Sequence, residues 1–149
     1  MSSIREKVEA ARAGRSPQLV AKMPSGWVLM GDVQPLAGYC VLIADPIVPS
    51  LNDLGEEARA TYSRDMARLG DALLKVTGAR RINYETWGNL DPTLHTHIVP
   101  RFHAEPEPQR GQTPREAYQW QTARPFEEER DGPLRDKIRA ELAGATRAE

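Results

Sequence analysis

Short apolar runs, separated by turn residues, dominate the first third of the chain. Runs of this length, bounded by Gly, Pro, Ser and Asp, are typical of β-strands. They predict three strands, at 18–23, 27–30 and 39–44. The third run is almost wholly apolar, which predicts a strand buried on both faces at the centre of a sheet.

A helical period replaces the strand pattern between Leu51 and Val76, where apolar residues recur every three or four positions. This spacing places them along one face, so the segment is predicted to form a long amphipathic helix. We expect Asn52 or Asp53 to cap its start and Gly78 to end it.

Two more strands and a tail complete the predicted elements. The pattern predicts a fourth strand at 80–87 and a fifth that begins near residue 94. Helical spacing from Ile4 predicts a short N-terminal helix, and 133–142 is predicted as a final helix with Pro133 in its first turn. Consecutive strands with short links predict an α+β fold, an antiparallel sheet of about five strands with the long helix on one face.

The 149 residues are enough for one domain with a hydrophobic core. We expect a single domain over 1–149, with its core at about 18–103 and a C-terminal extension at 104–149. The net charge of -1 provides no overall attraction for nucleic acid, and no apolar segment is long enough to span a membrane. The single cysteine, Cys40, excludes an internal disulfide framework and fits a reducing compartment, so a cytoplasmic location is expected.

The fifth strand contains the candidate chemistry, because it holds His95 and His97. Side chains alternate across a strand, so both imidazoles are predicted on one face, with Leu94 and Ile98 on the other. An unperturbed imidazole is largely neutral near pH 7, so one ring can attack a substrate while the other donates a hydrogen bond or a proton. The attacking ring needs a free Nε2 and an acceptor for its Nδ1–H, such as a backbone carbonyl near Thr93.

Two other interpretations of the histidines stay open. A His-x-His pair is a common half of a zinc site, so a metal-dependent hydrolase using His95, His97 and His103 is one alternative. The strand contains no carboxylate and Cys40 lies in a different strand, so we predict no metal and no required cofactor. The other alternative is a pair of surface histidines on an edge strand.

The segment HTHIVPR, from His95 to Arg101, resembles the end of the histidine-triad motif, His-x-His-x-His-x-x, which is often followed by Pro-Arg. The resemblance extends over roughly residues 27–102. Further matching positions lie upstream of the motif: Gly31-Asp32, Pro35, Gly38, the segment 51–54 and Asn83. The chain departs from the pattern twice, because Thr93 occupies the first triad position and Tyr39 stands where many members place a histidine.

The resemblance implies a nucleotide hydrolase or transferase. His95 would attack the α-phosphorus of a nucleotide to form a nucleotidyl-histidine, which water then cleaves, and His97 would hydrogen-bond the phosphate or the departing group. The implied substrates are dinucleoside polyphosphates, nucleoside phosphoramidates or other adenylylated compounds. Because Thr93 cannot carry a charge, a nucleotide-binding module with little or no turnover is the alternative.

Further residues are candidate substrate contacts, most with an ordinary structural alternative, and the resemblance implies the role of Asp32. Asp32 would accept the ribose hydroxyls, or it forms a turn. Asn83 and Asn89 would donate to phosphate, or they are ordinary strand and turn residues, and Thr93 would offer its hydroxyl. Arg101 would pair with phosphate, or it forms a salt bridge across a subunit interface. The implied assembly is a homodimer whose two sheets join.

Overall fold

A computed structural model describes residues 2–148, and side chains as far as residue 145. Its strands are β1 Leu19–Met23, β2 Gly26–Met30, β3 Cys40–Ala44, β4 Arg81–Glu85 and β5 His95–Arg101. They form one sheet in the order β1-β2-β3-β5-β4, and every neighbouring pair is antiparallel. The predicted five-stranded antiparallel sheet is therefore confirmed, with the apolar third strand at its centre.

Four α-helices accompany the sheet: α1 Ile4–Arg12, α2 Glu56–Thr77, α3 Pro114–Ala117 and α4 Glu128–Ala148. The predicted start of α2 is wrong, because Leu51–Asp53 forms a separate 3-10 turn in which Asp53 accepts from the Ser50 hydroxyl at 2.7 Å. The helix itself starts after Gly55, which has no side chain to cap it. Gly78 ends the helix as predicted, in a left-handed conformation with φ of 72° that glycine adopts without strain.

The final helix begins earlier than predicted. Pro133 lies inside α4 rather than in its first turn. The Asp131 carboxylate, which is buried, accepts the backbone N–H of Glu127 at 2.9 Å and pairs with Arg124 at 3.1 Å. These contacts fix the start of α4 ahead of Pro133. The spacing of apolar residues in this segment does not predict a helix.

Each face of the sheet packs against different elements, because side chains alternate along every strand. The first face packs against α2 and α4, and its buried cluster includes Val28, Cys40, Leu42, Ile98, Leu69, Leu73 and Ile138. The second face packs against α1 and the segment that follows β5, and its cluster includes Val8, Leu29, Tyr39, Val41, Ile43 and Val99. The hydrophobic core therefore reaches beyond residues 18–103 in both directions. Within residues 2–148, no helix is both long enough and apolar enough to cross a membrane.

Candidate active site

The two histidines of β5 share the second face of the sheet. Their ring centroids are 5.1 Å apart and the rings meet edge to face, at an interplanar angle of 82°. Leu94 and Ile98 point into the core on the first face, as alternation along the strand predicts. Both imidazoles therefore lie side by side, and the prediction that they share a face is confirmed.

The backbone before β5 orients the ring of His95. Nδ1 lies 2.6 Å from the carbonyl oxygen of Thr93. A carbonyl can only accept, so Nδ1 carries the hydrogen and Nε2 of the neutral ring is left with a free lone pair. The turn is itself held, because the Thr93 hydroxyl donates to the Asp91 carboxylate at 2.7 Å and the Leu94 N–H donates to Val48 at 2.7 Å.

A side chain rather than the backbone orients His97. The hydroxyl of Tyr39 lies 2.6 Å from its Nδ1. Burial lowers the pKa of His97 to about 3, with further contributions from the charges of Arg115 and His95, and burial raises the pKa of Tyr39. Both groups are neutral at physiological pH, and the phenol is the better donor, so its O–H donates to Nδ1. His97 is then left with an Nε2–H.

Glycine is required where β2 ends, because the Tyr39 ring lies directly against Gly31. A Cβ at this position would stand 2.1 Å from the tyrosine ring. The Gly31-Asp32 pair of the sequence therefore has a packing role as well as a turn role, since it admits the ring that holds His97.

Both histidines line a cavity of about 840 Å³ on the second face. Ligand cavities of small molecules commonly have this size. Its walls are largely apolar and include Leu29, Val41, Ile43, Trp87 and Trp120. Its charged groups come from four separate segments and are Lys7, Asp32, Asp91 and Arg115. The site therefore joins a broad apolar surface to a few charges beside the imidazoles.

Asp32 lines this cavity, as its predicted role requires. One carboxylate oxygen accepts from Lys7 of α1 at 2.6 Å and the other from Gln18 at 2.8 Å. Burial raises the pKa of Asp32, but the hydrogen bonds from these two residues outweigh burial and hold the pKa below its ordinary value. The carboxylate is therefore ionised and fixed in position, and each oxygen keeps a lone pair with which it can accept a ligand hydroxyl.

Arg101 and Asn83 lie outside the cavity, which corrects the predicted phosphate contacts. The Arg101 side chain is only 3% exposed, and all three of its guanidinium nitrogens donate within the chain. Nε and Nη2 bind the Glu105 carboxylate, and Nη1 binds the Asn83 side chain at 2.8 Å. Further bonds to the carbonyls of Gln109 and Gln112 complete the set. Arg101 anchors the segment after β5 and has no donor left for phosphate.

The other predicted site residues also fall into two groups, those that line the cavity and those that lie outside it. Asn89 lines the cavity from an exposed loop, whereas Thr93 does not line it and acts through its carbonyl and its bond to Asp91. His103 is exposed and also lies outside the cavity. In the described part of the chain, no three His, Cys, Asp or Glu side chains are grouped to hold a metal ion.

Among the cavity residues from outside the sheet are Lys7, Arg115 and Trp120, and the sequence patterns missed the first two. Lys7 belongs to α1, and Arg115 and Trp120 belong to the segment between β5 and α4. The Arg115 guanidinium lies 4.2 Å from the Trp120 ring centroid, and its Nε donates to Glu85 at 3.1 Å. The Trp120 ring in turn packs edge-on against Tyr39, with centroids 4.8 Å apart. The large aromatic residues after β5 were the only sequence signal that this segment packs on the sheet.

A five-stranded antiparallel sheet whose internal strand presents a His-x-His pair to a cavity defines the fold class of histidine triad proteins. Comparison with solved structures supports this class. The chain aligns with a histidine triad protein from Bradyrhizobium japonicum at 20% identity and a TM-score of 0.71, covering 89% of this chain and 95% of that one. A histidine triad protein from Marinobacter aquaeolei VT8 aligns at 18% identity and a TM-score of 0.73, with coverages of 93% and 94%.

A third solved structure carries a more specific description. It is described as a hypothetical histidine triad nucleotide-binding protein, from Sulfolobus tokodaii strain7, and aligns at 14% identity and a TM-score of 0.73 over 94% of this chain and 93% of that one. No protein-family model matches the chain, and no curated protein matches it in sequence. The likeness therefore lies in the three-dimensional structure, and the chain has the histidine triad fold.

Proposed function

We propose that this protein is a nucleotide hydrolase or transferase that cleaves at the α-phosphate through a nucleotidyl-histidine at His95. The observation that supports this most strongly is the 2.6 Å hydrogen bond from Nδ1 of His95 to the Thr93 carbonyl. It leaves Nε2 with a free lone pair on a ring that lines a cavity of about 840 Å³. A structural histidine can make the same hydrogen bond, so the distinguishing feature is that this ring also lines a cavity, as an imidazole nucleophile requires.

In the first step, Nε2 of His95 forms a bond to the α-phosphorus, and the bond from phosphorus to the leaving group breaks with its electron pair on the leaving atom. The imidazole ring becomes positively charged, and the Thr93 carbonyl stabilises that charge through Nδ1–H. His97 donates Nε2–H to a phosphoryl oxygen. In the second step, water attacks phosphorus, the N–P bond breaks with its electron pair returning to Nε2 of His95, a proton of the water passes to solvent, and the mononucleotide leaves.

Nucleotide binding uses the other parts of the cavity. Asp32 accepts the ribose hydroxyls, because both carboxylate oxygens are held in position by Lys7 and Gln18 and retain a free lone pair. The apolar walls receive the base, and Asn89 can donate to phosphate from the cavity rim. The description of the Sulfolobus tokodaii structure as nucleotide-binding supports this assignment.

Replacing His95 by Ala tests the proposal. We expect hydrolysis of diadenosine tetraphosphate and of an AMP phosphoramidate to fall to the background rate, because the nucleophile is gone. His103→Ala is the matched control and should keep full activity, since His103 lies outside the cavity. His103→Ala should melt close to the wild-type temperature, whereas His95→Ala should melt lower because His95 is only 8% exposed, so both are assayed well below their melting temperatures. Wild-type rates in His95→Ala would refute the assigned nucleophile.

A nucleotide-binding module with little turnover is the second candidate function. The low pKa of His97, about 3, favours it, because a ring that stays neutral cannot protonate a poor leaving group. Single-turnover kinetics separate the two candidates. A protein that binds AMP, yet forms no nucleotidyl adduct on His95 within one turnover, is a binding module.

The proposed reaction requires no metal. The alternative metal site would use His95, His97 and His103, but His103 lies outside the cavity that the other two line. We expect activity to persist after exhaustive chelation, with no stoichiometric metal detected by mass spectrometry. Activity that is lost on chelation and restored by zinc would favour the metal-dependent alternative.

The proposed assembly is a homodimer whose two sheets join, in the cytoplasm. β1 and β4 are the edge strands, and two carbonyls of β1 already accept hydrogen bonds from Arg139 of α4, at 2.7 Å each. β4 is therefore the edge at which a second sheet can add. Trp87 and Leu90, in the loop that follows β4, are 65% and 99% exposed, which is unusual for residues of this size. Light scattering at micromolar concentration measures the assembly directly.

A further inference from the structure

Arg115 is an arginine that two neighbours hold beside the histidines. It belongs to α3, and its Nε donates to Glu85 of β4 at 3.1 Å. Its guanidinium stacks on Trp120 at 4.2 Å. The Arg115 side chain is 42% exposed and that of Glu85 only 9%, so the carboxylate is an internal anchor and the cation faces the open space.

Two independent connections place Arg115 next to His97. Glu85 is the β4 residue paired with His97 of β5, so it lies beside that histidine on the same face of the sheet. On the other side, Trp120 packs against Tyr39, whose hydroxyl binds His97. The charge of Arg115 accordingly contributes to the low pKa of His97.

Arg115 keeps donors free for a ligand, unlike Arg101. Only its Nε is engaged, and neither Nη nitrogen donates to another residue in the described part of the chain. The residue lines the cavity that contains both imidazoles. A guanidinium with two free nitrogens is suited to bind phosphate oxygens in pairs.

We infer that Arg115 binds the phosphates of the leaving group, so that the preferred substrates are nucleoside polyphosphates and dinucleoside polyphosphates rather than phosphoramidates. This inference rests on the proposed function and specifies its substrate class. His95 attacks the α-phosphorus, and Arg115, which lines the same cavity near His97, binds the remaining phosphates of the polyphosphate.

The chemistry of the leaving group also favours nucleoside polyphosphates and dinucleoside polyphosphates. When the bond from the α-phosphorus to the bridging oxygen breaks, its electron pair stays on that oxygen, and the leaving group is a phosphate oxyanion. This oxyanion needs a cation and no proton, which Arg115 supplies. An amine leaving group needs a proton on nitrogen, and His97, with a pKa of about 3, stays neutral and cannot supply it.

The test compares the affinity for AMP with that for adenosine 5′-(α,β-methylene)triphosphate, which cannot be cleaved at the α-phosphorus, by calorimetry without divalent cations. We expect the wild type to bind the triphosphate analogue at least about tenfold more tightly than AMP, from one charge-assisted interaction. Arg115→Gln should abolish this preference while its affinity for AMP changes little. Arg110→Gln, an exposed arginine of the same segment that pairs with Glu107, is the matched control and should keep the preference.

A double variant separates the guanidinium from its partner, because Arg115→Gln alone leaves Glu85 uncompensated and able to repel phosphate. Glu85→Gln/Arg115→Gln restores the local charge balance. Loss of the triphosphate preference in both variants supports direct binding by Arg115. A wild-type preference in the double variant overturns the inference, as does an unchanged preference in Arg115→Gln or equal affinity of the wild type for both ligands.

Turnover is a second measurement, and it distinguishes a failure of the hydrolase proposal from a failure of the inference about Arg115. The ratio of kcat/KM for diadenosine tetraphosphate to that for an AMP phosphoramidate should fall about tenfold in Arg115→Gln and stay constant in Arg110→Gln. If the wild type cleaves neither compound, the hydrolase proposal fails, while the binding preference still decides the role of Arg115.

Discussion

At the scale of single residues, the two imidazoles differ in what orients them. A backbone carbonyl fixes His95, so almost any residue at position 93 can supply that contact, and the presence of threonine there leaves it intact. A side chain fixes His97, so this second ring depends on the identity of residue 39. Of the two departures from the triad pattern, Tyr39 is therefore the one whose side chain directly contacts one of the two histidines.

Tyr39→Phe tests that dependence. Without the hydroxyl, the His97 ring can carry its hydrogen on either nitrogen, so kcat should fall about tenfold while KM changes little. The free energy of unfolding should fall by about 1–3 kcal/mol, because Nδ1 loses its hydrogen-bond partner. Tyr118→Phe is the matched control, since its hydroxyl binds Glu105 rather than a histidine. Equal kinetics for Tyr39→Phe and the wild type would show that the hydroxyl does not position His97.

A second residue-scale prediction concerns acid stability. The pKa of His97 is about 3 in the folded chain, against about 6.5 for an exposed imidazole, so between these values the unfolded chain binds a proton that the folded chain excludes. The free energy of unfolding should therefore decrease as the pH falls through this window. The His97→Gln variant lacks this proton.

Urea unfolding of the two proteins between about pH 6.5 and pH 4 measures the difference. The wild-type free energy should fall more steeply than that of His97→Gln, by up to about 1.4 kcal/mol per pH unit. Other titrating groups act in both proteins and cancel in the comparison. Parallel curves would show that the folded state protonates His97 as readily as the unfolded chain does.

At the scale of elements, the two ends of β5 have different surroundings on the same face of the sheet. His95 and His97 face the cavity at one end, while Arg101 and its partner Asn83 are covered at the other by the segment between β5 and α4. The Arg101–Glu105 ion pair is the centre of that cover, and Tyr118 adds a bond to the same carboxylate at 2.7 Å. One strand therefore carries the candidate chemistry and also anchors the segment that brings Arg115 to it.

Arg101→Met should destabilise this element severely. It leaves the buried Glu105 carboxylate without its cation, which typically costs about 3–5 kcal/mol. Glu105→Gln in the same chain should recover part of the loss, because the second charge is then removed as well. The free energy of unfolding in urea and the rate of proteolysis within residues 102–127 measure both effects. A loss below about 1 kcal/mol in the single variant would contradict the buried-pair interpretation.

At the scale of the whole molecule, the sheet is covered on both faces by chain from beyond the expected core. α4 packs on the first face, and α1 with the segment after β5 packs on the second. The N-terminal helix and the C-terminal extension therefore both pack on the sheet, and both contribute residues to the cavity.

Ile138→Ala tests the place of α4 in the core. The side chain is fully buried, so its truncation should cost about 2–5 kcal/mol, in line with large-to-small changes in protein cores. Leu74→Ala is the matched control on α2 and should cost less than about 1 kcal/mol, because Leu74 is exposed. Thermal and urea unfolding of the two variants provide the comparison, and similar losses would place α4 outside the cooperative core.

The strands, the long helix and the common face of the histidines could be predicted because each follows from local periodicity. The neighbours of Arg101 could not be predicted. Arg101 lies on the same face of β5 as the histidines, but Glu105 and a loop without a repeating pattern cover it. Lys7 and Arg115 were missed for the same reason, since spacing in a sequence tells which face of a strand a residue occupies but not which distant segment closes over it. Asp32 was found through the resemblance to the histidine-triad pattern, since its position directly after a strand indicates only a turn.

The position of α1 has a practical consequence for work with the recombinant protein. Ser2, Ile4 and Lys7 all line the cavity, and the Ile4 N–H is bound to Asp91 at 3.0 Å. An affinity tag at the N-terminus would therefore be attached close to this cavity, and we expect it to interfere with ligand binding. Purification handles belong after α4, on the opposite side of the sheet, or should be cleaved before any assay.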